Sequence, residues 1–217
     1  MPAAALPLDV ATAHHHLELL GVTAGQTILV HGAGSMMGFS SVQMALRRGA
    51  RVIATSGETY AERLRAMGTL VTAYGDGMVD RIRALAGGPI DLALDAAPGA
   101  ADAELVNQIF SGQPSAASGP APVGGPLPDL IRAVGGEPRR VLTMSDFKAA
   151  AQLGVRTTFE GGIPRHHVLG EYVQLAAAGT FTVPVGRTFA LDEWRPAIEL
   201  VLSGRARGKI VLVPTPG

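Results

Sequence analysis

The chain contains no cysteine. That removes disulfides and thiolate metal sites and fits a reducing compartment, so a cytoplasmic location is expected. Charge is sparse as well. Only 17% of the 217 residues are Asp, Glu, Lys or Arg, and 18 basic residues are balanced by 18 acidic ones. A chain of zero net charge lacks the electrostatic footprint of a nucleic-acid or anionic-membrane binder, and neither partner is expected. There is no apolar run long enough to cross a bilayer and no basic-then-apolar leader; Met1-Pro2-Ala3-Ala4-Ala5 is too short and too uncharged for one. What the chain has instead is apolar content, 47%, enough at this length for one large domain with a substantial core.

The most informative stretch begins at Thr27-Ile28-Leu29-Val30-His31, an apolar β-type run. It ends in Gly32-Ala33-Gly34-Ser35-Met36-Met37-Gly38, and a helical pattern follows at once with Phe39, Val42, Ala45 and Leu46. Strand, glycine turn and helix in this order suit a dinucleotide pyrophosphate. Glycines let the backbone turn sharply and approach the phosphates, and the following helix presents free N–H groups and the positive end of its dipole. The spacing Gly-x-Gly-x-x-x-Gly is one residue longer than the commonest fingerprint, and a glycine pattern alone is a weak signal. A second apolar run, Arg51–Thr55, follows at the distance a βαβ unit requires. Gly32, Ala33, Gly34, Ser35, Met36, Met37 and Gly38 are therefore candidate cofactor contacts, the methionines through their amides rather than their side chains.

The remaining periodicity predicts α/β architecture. Helices are expected at 12–20, 35–48, 58–67, 78–86, 127–134, 146–153, 167–178 and 191–202. Strands are expected at 27–31, 51–55, 70–72, 90–94, 140–143, 155–159, 185–189 and 209–213. Strands alternating with helices across short connections imply a Rossmann-type, doubly wound six-stranded parallel sheet with helices on both faces, plus a C-terminal helix and strand. The expected division is an entry helix in 1–20, a dinucleotide-binding domain in 21–165 and C-terminal helices and strands in 166–217. Pro and Gly crowd residues 111–128, which reads as a flexible surface insertion.

Strand 2 ends Thr55-Ser56-Gly57 without an acid. An Asp or Glu there would bond both ribose hydroxyls of NAD and repel a 2′-phosphate, whereas small hydroxyl residues leave room for the phosphate and can donate to it. Thr55 and Ser56 thus favour NADP(H) over NAD(H), with Arg51 or Arg63 able to add charge; Glu58, turned inward, would favour NAD. Tyr74 follows strand 3 and either packs on the adenine or sits at a rim with its hydroxyl wet. Thr143 and Met144 follow strand 5 at the carboxyl edge and are placed near the nicotinamide. Asp91 and Asp95, four residues apart on one strand, lie about 13 Å apart, too far for an acid–base dyad, and read as solvated or capping carboxylates. His14-His15-His16 points three ways around a helix and cannot converge on one ion, so helix-surface or interface packing is expected; His166-His167 reads the same way. No metal site and no catalytic side chain is assigned.

Several stretches resemble the medium-chain dehydrogenase/reductase superfamily in its zinc-independent, quinone-oxidoreductase-like branch. Leu6-Pro7-Leu8 with Ala11-Thr12-Ala13 is similar to its entry segment, which places Thr12 beside the cofactor. Val30-His31-Gly32-Ala33 with Gly38 is similar to its phosphate turn, and Asp91-Leu92-Ala93-Leu94-Asp95 with Gly99 to its fourth strand. Residues 139–147 resemble a stretch common in its actinobacterial members, and Ser203-Gly204-Arg205-Ala206-Arg207-Gly208-Lys209-Ile210-Val211-Leu212 resembles its C-terminus most specifically. The resemblance implies NADPH-dependent hydride transfer to a quinone or an activated C=C, a tyrosine at the position of Tyr74 near the nucleotide, and an N-terminal GroES-like barrel that supplies most of the substrate pocket. On that reading the chain is the cofactor-binding domain, binds NADPH and turns over poorly by itself. Ser35 stands where the family carries a glycine; its side chain narrows the approach to the pyrophosphate, while its hydroxyl could donate to a phosphate oxygen. A non-catalytic NADP(H) sensor or scaffold, and an apo fold with a dead site, are the alternatives. Uncovered apolar surface and an edge position for strand 6 lead us to expect a homodimer.

Overall fold

The computed structural model describes residues 3–97, 125–162 and 166–214. Helices α1 (Pro7–Leu20), α2 (Met36–Arg47), α3 (Glu58–Ala66), α4 (Met78–Ala86), α5 (Leu127–Ala133), α6 (Phe147–Leu153), α7 (Leu169–Ala177) and α8 (Trp194–Leu202) alternate with strands. Strands β1 (Thr27–His31), β2 (Arg51–Thr55), β3 (Leu70–Thr72), β4 (Leu92–Asp95), β5 (Val141–Thr143) and β6 (Arg156–Thr157) form one parallel sheet in the order β3-β2-β1-β4-β5-β6. Strand order reverses between β1 and β4, and in open sheets of this kind the ligand crevice lies outside the carboxyl ends of the strands at that reversal. The doubly wound parallel architecture expected from the sequence is thus present. β7 (Val185–Ala190) and β8 (Lys209–Val213) pair in parallel as a separate two-stranded sheet.

β1 is buried on both faces, which is why it reads as an unbroken apolar run. On one face, Ile28 and Val30 pack with Val10, Ala13 and Leu17 of α1, with Phe39, Val42 and Met44 of α2, and with Tyr172 of α7. On the other, Leu29, Ile53, Ala93 and Val141 pack under α4, α5 and α6 through Ile82, Leu130 and Ala150. Each large aliphatic side chain so buried contributes about 1.5–3 kcal/mol. Two short devices fix the helix ends nearest the crevice. Ser35 caps α2 by accepting from the Gly38 amide (2.9 Å), and Asp146 caps α6 by accepting from Ala149 (3.0 Å).

Several boundaries differ from expectation. α1 starts at Pro7, not at residue 12, because proline is tolerated in the first turn. β4 starts at Leu92, because Asp91 spends its carboxylate on the Thr27 amide (2.7 Å). β6 is only two residues long: Thr158 turns aside to α1, where its carbonyl accepts from His15 Nε2 (3.0 Å) and its hydroxyl meets His16 Nε2 (2.8 Å). Residues 111–124 of the expected insertion lie outside the described residues, while Leu127 and Pro128 open α5.

The C-terminal unit is tied to the sheet domain by polar contacts. Gln43 on α2 donates to the Thr182 carbonyl (2.8 Å) and accepts from the Thr182 amide (2.9 Å). Lys209 Nζ lies 3.1 Å from the buried Asp9 Oδ2 of α1. These ties bring the loop 203–208 across the tip of β2.

Candidate functional site

The turn after β1 is shaped by what cannot fit there. Gly32 has φ +77°, and a Cβ on it would lie 2.4 Å from the Ala97 nitrogen. A Cβ on Gly38 would lie 2.4 Å from the Gly32 carbonyl oxygen. Both positions demand glycine, so the backbone of the turn sits closely on α2 and on the loop after β4. The amides of Met36 and Met37, in the first turn of α2, meet no acceptor among the described residues. Two open amides at the positive end of a twelve-residue helix are donors for an anion.

Ser35 departs from the expectation that its hydroxyl could serve a phosphate. The hydroxyl donates to the Ala96 carbonyl (2.8 Å) and accepts from Gly38 (2.9 Å). Its one hydrogen is already committed, and the side chain is drawn down onto the loop after β4.

At the tip of β2 lies an open cavity of about 490 Å³. Gly34, Ser56, Gly57, Tyr60 and Tyr74 line it from the sheet domain, and Gly204, Arg205, Ala206 and Arg207 from the C-terminal loop. Through Thr59, Tyr60 and Arg207 it continues into a second cavity of about 580 Å³ that reaches Arg63 and Val185. Glu58 is exposed and lines neither cavity. The two arginines considered from the sequence are accounted for differently. Arg51 points away from the tip and caps α4 through the Ala86 and Leu85 carbonyls. Arg63 donates to Thr182 Oγ1 (3.2 Å) and lies over the Phe39 ring.

Beneath the crevice runs a row of polar residues, one at the end of each strand. Thr72 pairs with Thr55, His31 with Asp95, Asp95 with Thr143 and Thr143 with Thr157; His31 falls opposite Thr55 by the register of β1 on β2. On β1, β2, β4 and β5 these residues stand two positions beyond Leu29, Ile53, Ala93 and Val141, and so share their face. The row has two bonded halves. On the β2 side, Thr55 Oγ1 accepts from the Gly32 amide (3.2 Å) and meets His31 Nδ1 (2.8 Å). The His31 and Tyr74 rings meet edge-on at 5.3 Å. Burial pushes His31 down to about 4 and raises the Tyr74 phenol. On the β4 side, Thr143 Oγ1 donates to Asp95 Oδ2 (2.8 Å) and the Ala97 amide donates to Oδ1 (3.3 Å). Burial lifts the Asp95 carboxyl to about 6 against the pull of those bonds.

The structure brings Gly34, Ser56 and Tyr74 together at one cavity, above the turn made by Gly32, Ala33, Ser35, Met36, Met37 and Gly38. It does not bring the other candidates there. Thr55 and Thr143 are fully buried and bond within the polar row, so neither hydroxyl is open to a phosphate or a ring. Met144 packs half-buried against the core, and Thr12 is half-buried on α1 with no hydrogen bond to the crevice. Asp91 is a capping carboxylate as expected; Asp95 also accepts a backbone amide, that of Ala97, but is buried rather than solvated. Sequence reasoning assigned no role to His31, Arg205 or Arg207. The signal for the row was present, since β1 to β5 each end in His, Thr or Asp. The arginines became visible only once β8 paired with β7. Among the described residues no group of three or more His, Asp or Glu is placed to share a metal ion, and no helix is long and apolar enough to cross a membrane.

Comparison with known proteins defines the class. Residues 69–212 match the family model described as zinc-binding dehydrogenase. The chain belongs to that family, a family of nicotinamide-cofactor-binding dehydrogenase domains within the medium-chain dehydrogenase/reductase superfamily. Among curated proteins it is 36% identical over 103 residues to erythronolide synthase EryA2 of Saccharopolyspora erythraea, covering 45% of this chain and 3% of that protein. Among solved structures, one titled as an NAD-dependent alcohol dehydrogenase gives a TM-score of 0.71 at 23% identity, covering 98% of this chain and 58% of that one. The CurK enoyl reductase gives 0.66 at 18%, covering 98% and 62%. At these identities the structural likeness concerns the fold. The chain thus spans about 60% of its structural neighbours and a small fraction of its curated relative.

Proposed function

We propose that the chain binds NADP(H) and serves zinc-independent hydride transfer to a quinone or an activated C=C. The observation that carries the NADP preference is the cavity at the tip of β2. It has Ser56 and Gly57 where an acid would hold the ribose of NAD, and Arg205 and Arg207 across from them. Two guanidiniums suit a 2′-phosphate, because charge-assisted bonds to an anion are about twice as strong as neutral ones. The pyrophosphate would rest on the Met36 and Met37 amides, where Gly32, Gly34 and Gly38 keep side chains out of the way. Tyr74, beside this cavity, would border the adenosine.

When bound, the nicotinamide supplies the hydride; the protein supplies position and electrostatics. No described side chain of the cavity is placed as a proton donor toward the ends of β4 and β5. We therefore propose that this polypeptide alone binds NADPH but reduces quinones or enones poorly, the acceptor pocket lying in a partner domain. The same observation favours a second reading, a non-catalytic NADP(H) sensor. We also propose a homodimer through the β6 edge, where the exposed rings of Phe147 and Phe159 meet at 5.0 Å, and a cytoplasmic location.

Titration by NADPH fluorescence, run beside a quinone-reduction assay, tests the reading. Saturable binding, tighter for NADPH than for NADH, supports it. Preference for NADH overturns the cofactor assignment, and robust turnover overturns the need for a partner domain. Light scattering that shows a strict monomer overturns the dimer.

A further inference from the structure

Asp95 is the most deeply placed acid near the crevice. It is 1% exposed, and no cation among the described residues pairs with it. A buried, unpaired carboxyl is costly, and for stability alone an apolar residue would serve as well or better. The question is what its two oxygens accomplish.

Each oxygen holds a different segment. Oδ2 takes the Thr143 hydroxyl and Oδ1 takes the Ala97 amide. The Asp95 carbonyl accepts from the Met144 amide (3.3 Å), and Thr143 Oγ1 accepts from Ser145 (3.2 Å). Ala96, between Asp95 and Ala97 in sequence, donates its amide to the His31 carbonyl (2.8 Å) and accepts the Ser35 hydroxyl. One carboxyl therefore joins the loop after β4 to the loop after β5, and Ala96 joins both to the phosphate turn. These loops flank the β1/β4 reversal on the side away from Arg205 and Arg207.

We propose that Asp95 is a positioning residue for the nicotinamide end of the crevice: by tying residues 96–97 to residues 143–145 it fixes the backbone on which that end of the cofactor rests. This rests on the NADP(H) reading above. Asp95 acts through Thr143 and the Ala97 amide and does not touch the cofactor. Its protonation state is secondary to the link, because a neutral carboxyl still offers an acceptor. The adenosine end, held by the Thr55 network and the arginine loop, is independent of it.

The test compares a whole cofactor with its adenosine half on the full chain. Isothermal titration measures NADPH and adenosine 2′,5′-bisphosphate against wild type, Asp95→Asn and Asp95→Ala. Losing both bonds at a buried site should weaken NADPH about tenfold in Asp95→Ala and leave the bisphosphate within about twofold of wild type. Asp95→Asn keeps one acceptor and should fall between. Bound NADPH should also lose the nicotinamide emission enhancement seen with wild type. If Asp95→Ala does not fold, Thr143→Val, which removes only the hydroxyl bond, should show the same split at smaller size. Equal losses for both ligands would mean a general structural role and would overturn the proposal, as would no loss for either. If wild type binds the bisphosphate but gains nothing from the rest of NADPH, the proposal falls while the adenosine site stands. If wild type binds neither, the NADP(H) reading itself has failed, and the proposal with it.

Discussion

The two halves of the crevice are built on opposite plans. At the β2 tip the charge is exposed and positive, and it comes from outside the sheet on the loop 203–208. At the β4–β5 end the charge is buried, acidic and part of the sheet itself, with both oxygens of Asp95 spoken for. The first arrangement can attract and discriminate an anion, because guanidiniums in an open cavity remain free to reorganise around it. The second cannot bind a ligand directly and can only hold backbone in place. One end of the site would choose the cofactor and the other would aim it.

The comparison predicts graded consequences. The turn common to both halves is the least tolerant place. Gly38→Ala should cost about 3 kcal/mol by urea denaturation, because the new methyl meets the backbone at Gly32 and neither can move cheaply. NADPH binding should be lost with it. If this variant matches wild type in both stability and binding, the close approach of turn to helix is wrong.

Acid should separate the buried groups next. His16 and His31 are held at about 4, well below the ordinary 6.5, chiefly by burial. A lowered histidine pKa stabilises the fold fully above pH 6.5, and that contribution is lost as pH falls toward 4. Asp95, raised to about 6, works the other way and offsets part of the loss. Between pH 7.5 and 5 the balance is a loss on the order of 2–3 kcal/mol. Asp95→Asn should steepen the decline, and stability that rises on acidification would refute these burials.

Smaller effects divide the two ends. Arg205→Ala with Arg207→Ala should weaken NADPH by about ten- to a hundredfold, the worth of one or two charge-assisted bonds, and change NADH by less than about threefold. Ser35→Ala should cost about 1 kcal/mol of stability through the lost cap and change NADPH affinity less than about threefold, since the hydroxyl faces Ala96. A large affinity change with unaltered stability would put that hydroxyl on the phosphate after all.

How far the sequence revealed this depends on range. The strand–turn–helix unit is local, so the run 27–31, the glycines and the helix after them could be read directly, and the alternation of strands and helices gave the doubly wound parallel sheet. Hydroxyls were harder. Thr55, Thr143 and Ser35 were expected to face a ligand, and each instead satisfies a buried neighbour, because a register across parallel strands is invisible to local patterning. Asp95 was expected as a solvated or capping carboxylate; it does cap the Ala97 amide, but its burial and its bond to Thr143 were hidden for the same reason. Arg205 and Arg207 belong to the other extreme: they lie more than a hundred residues from the tip of β2 and reach it only through β8 pairing with β7 and the Lys209–Asp9 contact. Thr12, placed by resemblance alone, has no hydrogen bond to the crevice.

A crystal grown with saturating NADPH tests the central claim most directly. The account predicts the pyrophosphate on the Met36 and Met37 amides, the 2′-phosphate between Ser56 and the guanidiniums of Arg205 and Arg207, and the nicotinamide over the loops joined by Asp95. Density for the cofactor elsewhere, or none in this crevice at full saturation, would contradict it.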